Sequence, residues 1–244
     1  MTEEGDPSPE TPVPVAKSVG PPKWESTTRD QISAGLRRVV KAITALETRD
    51  AVEADTRLLV TDVLCDLLGF DKYEELTAEY SVKGEFADFG IRIDKQMTAF
   101  VEIKRVTQKL NATHLRQVEN YCLKHGVSWA VLTNARHWQL YNIQSSSGEK
   151  AETNLVLEVD LLSEAIKPKD MIDTLLIFSR VGFTKGLVDE AWRQRFVSSP
   201  KALKPVVFSR PVIEEIRKEL WRQQRVKVDA EIIRNSLGMM IGDE

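Results

Sequence analysis

Cysteine is almost missing from this chain: Cys65 and Cys122 are the only two among 244 residues. That excludes a disulfide framework and a cysteine-built metal site. Histidine is nearly as sparse. His114, His125 and His137 lack the spacing of a ligand set and read as surface or capping residues. No run approaches the ~18–20 apolar residues that a bilayer span needs. The opening MTEEGDPSPE is acidic and proline-rich, not basic and then apolar as in a secretory signal. The expectation is a cytoplasmic protein with reduced thiols and no membrane partner. A G-x-S-x-G elbow is absent, and no Ser/His/Asp or Cys/His set stands out. Aromatics are few, and Trp129, Trp138 and Tyr141 fall in strand-like runs, where they pack a sheet rather than stack on bases.

What is present is an ordinary globular composition, 42% hydrophobic and 29% charged, with enough length for one sizeable core and a small appendage. The net charge of −3 is unevenly spread. Residues 1–16 hold four acids and no base, while residues 101–137 hold six bases against two acids and residues 201–234 nine against five. Two basic regions on a near-neutral body are compatible with a polyanion partner, and equally with solvated helix faces.

Residues 1–24 contain six of the ten prolines and few large apolar residues, the composition of a disordered tail. Ile32, Leu36, Val39, Val40, Ile43 and Leu46 then recur at helical spacing, and a second helix is expected over 51–68, closed by Gly69. The period shortens to that of strands at 77–83, 86–93 and 98–104, split by turns at Lys83-Gly84 and Asp94-Lys95. Asn111 is placed to cap a helix running to about Lys124 and stopped by Gly126. Strands follow at 128–133, 138–143 and 154–159, with a loop at Ser145–Gly148. Helices are expected at 161–166, 170–180, 185–196, 211–224 and 228–238, with Pro168, Pro200, Pro205 and Pro211 as punctuation. The strand–helix–strand crossover through 111–124 implies one parallel pair in an otherwise antiparallel sheet. The fold class is therefore α/β: a mixed central sheet flanked by helices over 25–160, and a helical C-terminal region over 161–244.

The residues that demand an explanation are Asp88 in FADFG and Glu102 and Lys104 in FVEIK. Strand periodicity puts Glu102 and Lys104 on one face and Val101 and Ile103 on the other. A hairpin turn at 94–96 brings Asp88 alongside. Charges in so apolar a stretch are costly unless paired or bound to a metal. Asp88, Glu102 and the backbone carbonyl of Ile103 form a hard-oxygen ligand set suited to Mg²⁺ or Mn²⁺, with Lys104 placed to orient a water and offset transition-state charge. A structural acid–lysine pair across neighbouring strands accounts for the same spacing.

Asp88, a short hairpin and Glu102-Ile103-Lys104 resemble the PD-(D/E)xK nuclease signature. The wider order is more specific: Glu53-Ala-Asp-Thr56-Arg57, Leu67-Leu68-Gly69-Phe70-Asp71, Glu79-Tyr80, Ala87-Asp88-Phe89, Val101–Lys104, Gln117-Val-Glu-Asn-Tyr121, Leu132-Thr133-Asn134 and Trp138-Gln-Leu-Tyr141. Over residues 48–145 this is similar to the N-terminal nuclease domain of type I restriction enzyme R subunits. The resemblance implies a restriction-endonuclease-like fold, metal ligation by Asp88 and Glu102, a catalytic Lys104, and Glu53 completing or supporting the metal shell. It also implies a Gln117…Tyr121 element beside the active site that contacts DNA or the lysine. Arg105, Lys109 and Arg116 join Tyr121 as expected DNA contacts. For Glu53 the alternative is an acid offsetting a helix dipole, and for Gln117 and Tyr121 an ordinary helix–sheet contact.

Ala87 stands where the signature's name has proline, and no G-x-x-x-x-G-K-[ST] loop occurs. A motor or specificity partner would have to be another protein. The expected function is a Mg²⁺-dependent deoxyribonuclease for restriction, phage defence or repair, with DNA as partner. A homodimer is compatible, since cutting a second strand needs a second site. The other class is a catalytically silent module of the same fold that binds DNA or docks a partner; an RNA-cleaving enzyme of this fold is a third reading. Arg217, Lys218, Arg222, Arg225 and Lys227 near Trp221 fit a phosphate track, a solvated bundle face or a dimer contact.

Overall fold

The computed structural model describes residues 20–82, 85–144 and 151–242. The expected tail therefore lies largely outside the described residues, as do the Lys83-Gly84 turn and the Ser145–Gly148 loop; Lys23 and Trp24, assigned to the tail, open the first helix. That helix, α1 (Lys23–Thr48), buries the predicted stripe of Ile32, Val39, Ile43 and Leu46. Next, α2 (Glu53–Asp62) runs on into a π-helical turn, Val63–Leu67. It stops at Gly69, whose φ of +79° is open to glycine without a Cβ clash.

Among the described residues six strands, β1 (Leu76–Val82), β2 (Glu85–Ile93), β3 (Gln96–Ile103), β4 (Trp129–Thr133), β5 (His137–Gln144) and β6 (Glu152–Asp160), lie side by side in chain order. Only β3 and β4 are parallel, through α3 (Ala112–His125), so this mixed sheet flanked by helices is the one expected. The β2–β3 turn has φ of +50° at Asp94 and +67° at Lys95, the paired positive φ that suits a tight hairpin. Asn111 caps α3 by accepting from the N–H groups of Thr113 (2.9 Å) and His114 (3.2 Å), and Gly126 ends it at φ +65°.

Strand alternation splits the interior in two. Phe89, Ile91, Val101, Ile103, Val131, Trp138 and Leu140 join one core with α1 and α2, while Phe100, Ala130, Leu132 and Tyr141 join another with Val118, Tyr121 and Cys122 of α3. Thus Val101 and Ile103 face one layer, and Phe100 shares the α3 side.

The C-terminal third departs from expectation in three places. Residues 161–166 are turns, not a helix: Asp160 accepts from Leu162 N–H through Oδ1 (2.9 Å) and from Ser163 N–H through its carbonyl (3.1 Å). The helix then starts afresh at Pro168 as α4 (Pro168–Phe178). Extended backbone at Ser179 (φ −72°, ψ 163°) ends α4 and caps the short α5 (Arg180–Thr184), and α6 (Leu187–Val197) begins after Gly186. Pro200 does not merely punctuate: it opens α7 (Pro200–Val207) at a position where its fixed φ suits a helix, with Ser199 as cap. The helices α8 (Arg210–Gln224) and α9 (Ala230–Ile241) complete the chain, each with one buried residue, Ile213 and Ile233. Among the described residues no helix is long and apolar enough to cross a membrane.

Candidate active site

Glu102, near the end of β3, is 1% exposed on the α3 side of the sheet. Lys104 prolongs the strand by one step, its N–H donating to Thr133 O of β4 at 2.8 Å, so its side chain leaves on the same face as Glu102. Lys104 Nζ lies 2.5 Å from Glu102 Oε1 and 3.4 Å from Gln117 Oε1. Gln117 in turn donates through Nε2 to the Tyr121 hydroxyl at 2.9 Å, one helical turn further along α3. A polar line of Glu102, Lys104, Gln117 and Tyr121 thus crosses from sheet to helix.

Asp88 arrives from β2. The register that pairs Phe89 with Val101 sets it beside this step of β3, where Asp88 Oδ2 accepts from Ile103 N–H at 2.7 Å. Its other oxygen, Oδ1, accepts from Arg57 of α2, and Arg57 also reaches Glu79 Oε1 of β1 at 3.5 Å. Glu53, half-buried in the first turn of α2, is near enough for its charge to act on Glu102, Lys104 and His114.

Burial pushes the Glu102 carboxyl up to about 7; the Lys104 bond opposes this, and the charges of Asp88 and Glu53 add to it. Burial alone would lower the Lys104 ammonium, but its bond to Glu102 and the surrounding acids hold it above the ordinary lysine value. Glu102 Oε2 is buried without a hydrogen-bond partner, as are Arg57 Nε and His114 Nδ1. A buried acceptor lacking a donor, with Asp88 and Glu53 close by, has the chemistry of a hard-cation ligand. Among the described residues no three His, Cys, Asp or Glu side chains are already drawn into a cage, because Asp88 is turned to Arg57 and Glu102 to Lys104.

Two of the expected DNA contacts are engaged within the fold. Tyr121 is 1% exposed and packs edge-on against Phe100, so it meets Gln117 from within the core. Arg105 spends its guanidinium on the α1–α2 connection, donating to the carbonyls of Ala51 (2.9 Å) and Asp50 (2.6 Å) and pairing with the Asp50 carboxylate. Lys109 and Arg116 are exposed, as expected. His114, read as a surface or capping residue, is buried beside the site, with Gln108 Nε2 at 3.0 Å from its Nε2 and its imidazole drawn down by burial and by Lys104. Its place three residues before Gln117 on α3 was the available signal. Arg57, quoted in the resemblance without a role, stands four residues after Glu53 on one helix face. Trp129 and Trp138 are buried in the sheet, as expected.

The C-terminal bases prove to be largely neutralised. Arg217 pairs with Glu214, Lys218 with Glu215 and Arg222 with Glu219, each at 3.0 Å and one turn apart, and Arg225 lies 5.0 Å from the Trp221 ring centroid. Arg217, Lys218, Arg222 and Lys227 line a cavity of about 480 Å³ beside α8, remote in the chain from Glu102 and Lys104.

Residues 53–156 match the family model of the type I restriction enzyme R protein N terminus. This R-protein N-terminal match begins at Glu53 and ends in β6, so it takes in α2, α3 and every strand that positions Asp88, Glu102 and Lys104. It supports a restriction-enzyme-like domain in that stretch and leaves α1 and α4–α9 outside. Searches of curated proteins and of solved structures gave no match.

Proposed function

We propose that this chain is a divalent-cation-dependent deoxyribonuclease that hydrolyses phosphodiester bonds in restriction, phage defence or repair. One observation carries the reading: Asp88, Glu102 and Lys104 converge within the R-protein N-terminal match, and Glu102 Oε2 is left buried without a donor. Asp88, Glu102 and the Ile103 carbonyl would hold Mg²⁺ or Mn²⁺, with Glu53 strengthening the negative field around them. Such a cation supplies Lewis acidity toward the scissile phosphate and the attacking water.

The chain's own groups do the rest. Lys104, kept protonated by its acidic neighbours, serves as a fixed positive charge for the crowded phosphate and not as a base. Gln117 limits where Nζ can stand, and Tyr121 holds Gln117 from behind. Lys109 and Arg116, both exposed, are suited to backbone phosphates.

The test is plasmid cleavage with Mg²⁺, with Mn²⁺ and with EDTA by wild type, Asp88→Asn and Lys104→Ala. Metal-dependent cutting by wild type alone supports the reading; cutting that survives both substitutions overturns it. A second reading, a DNA-binding module without turnover, draws on the engagement of Asp88 by Arg57 and Ile103 N–H. It predicts salt-dependent DNA binding that Lys104→Ala leaves intact, with no cutting under any metal.

A further inference from the structure

Both oxygens of Asp88 are spoken for: Ile103 N–H takes Oδ2 at 2.7 Å and the Arg57 guanidinium takes Oδ1. A cation arriving at Oδ1 would therefore meet the positive charge of Arg57 on the same oxygen. That guanidinium already leans on a second acid, with Nη1 3.5 Å from Glu79 Oε1. Glu79 sits on β1 between Ala78 and Tyr80, which pair with Phe89 and Ala87, so Glu79 and Asp88 are cross-strand neighbours on either side of the same guanidinium. The two acids differ in setting. Asp88 is 8% exposed, whereas the Glu79 side chain is 72% exposed on a backbone with φ of +48°, a left-handed conformation uncommon for a residue other than glycine. Arg57 Nε is buried without an acceptor, so its hold on Asp88 leaves one donor unused.

We infer that Arg57 is a displaceable internal counter-ion: it neutralises Asp88 in the cation-free protein and turns to Glu79 when a divalent cation takes Asp88 Oδ1. This rests on the reading of Asp88 as a metal ligand. Without Arg57, a buried Asp88 would stand as an unpaired anion beside Glu102, so the cation-free fold needs the guanidinium. With a divalent cation in place, the guanidinium would face like charge at short range, and Glu79 offers it an acid already within reach. A purely structural Arg57 would stay on Asp88 in both states.

The two descriptions separate in Mn²⁺ binding by the full chain, followed by electron paramagnetic resonance and calorimetry without DNA. Removing a charge-assisted competitor in Arg57→Gln tightens Mn²⁺ by about tenfold or more, while lowering the melting temperature in EDTA. Glu79→Gln removes the receiving acid, so it weakens Mn²⁺ several-fold and leaves the EDTA melting temperature unchanged. Because Glu79 is exposed, that variant keeps the test open if Arg57→Gln does not fold. Unchanged Mn²⁺ binding in Glu79→Gln, or weaker binding in Arg57→Gln, overturns the displacement. Asp88→Asn is the separate control: if it binds Mn²⁺ as wild type does, the ligand assignment fails instead. No binding by any variant overturns both.

Discussion

The Lys104 ammonium stands 2.5 Å from Glu102 Oε1, while Oε2 of the same carboxylate is buried with no partner. A carboxylate served on one side only is poorly compensated for its loss of water, which is why its proton affinity rises.

That rise fixes a pH dependence. The Glu102 carboxyl titrates near 7 in the folded chain against 4.5 as an ordinary carboxyl. Between these values the folded protein keeps a proton that the unfolded chain has released. The stability linked to it is complete below about 4.5 and declines as the pH climbs to about 7. In EDTA, thermal melts of wild type should lose stability across that window, and Glu102→Gln should lose less. Parallel curves for the two would refute the linkage.

Tyr121→Phe keeps the ring against Phe100 and deletes only the hydroxyl that receives Gln117 Nε2. The expected cost in stability is about 1 kcal/mol. Single-turnover cleavage should fall several-fold with DNA affinity unchanged. Weakened DNA binding at full cleavage rate would contradict a supporting role.

Arg105→Gln should act on the fold and not on DNA. It removes the strut to Asp50 and Ala51 at about 1–2 kcal/mol and should leave the salt dependence of DNA binding as it was. Lys109→Gln and Arg116→Gln should do the reverse, each lowering the salt slope by about one at no measurable loss of stability. Urea unfolding and binding titrations at several salt concentrations test both halves.

Gly182→Ala probes a site with no room. An added Cβ would lie 2.1 Å from Ile177 O and 2.6 Å from Leu176 O, backbone atoms that cannot swing aside. The expected loss is about 2–3 kcal/mol, read in urea, because α5 and its Ser179 cap must shift. Mn²⁺ binding by the folded fraction should be unaffected.

What was legible in the sequence follows from locality. Strands with alternating or fully apolar runs, the Asn111 cap, the Gly69 and Gly126 stops and the Asp94-Lys95 turn are decided by near neighbours, and the structure has them where expected. Strand parity and a short hairpin likewise bring Asp88, Glu102 and Lys104 together, while Gln117 joins them through the resemblance alone. The misses are of another kind. Which acid meets Arg57 or Arg105, and that His114 turns inward, depend on how α1, α2 and α3 settle on the sheet, and no single segment encodes that. Pro200 reads as punctuation in the sequence, yet a serine followed by proline is also a helix start. The stretch after Asp160 looked helical by composition, but the Asp160 side chain competes for the backbone and makes a turn.

The bond from Lys104 N–H to Thr133 O ties the lysine's backbone to β4. Asp88, Glu102 and Lys104 are all translated before β4 exists. Until β4 docks, the backbone of Lys104 is untethered, and α3, which carries Gln117, has no second strand to return to. A chain truncated before residue 129 would hold the acids and the lysine in sequence yet lack the tether that aims the lysine. Docking of the fourth strand is thus the step that fixes the backbone from which Lys104 projects.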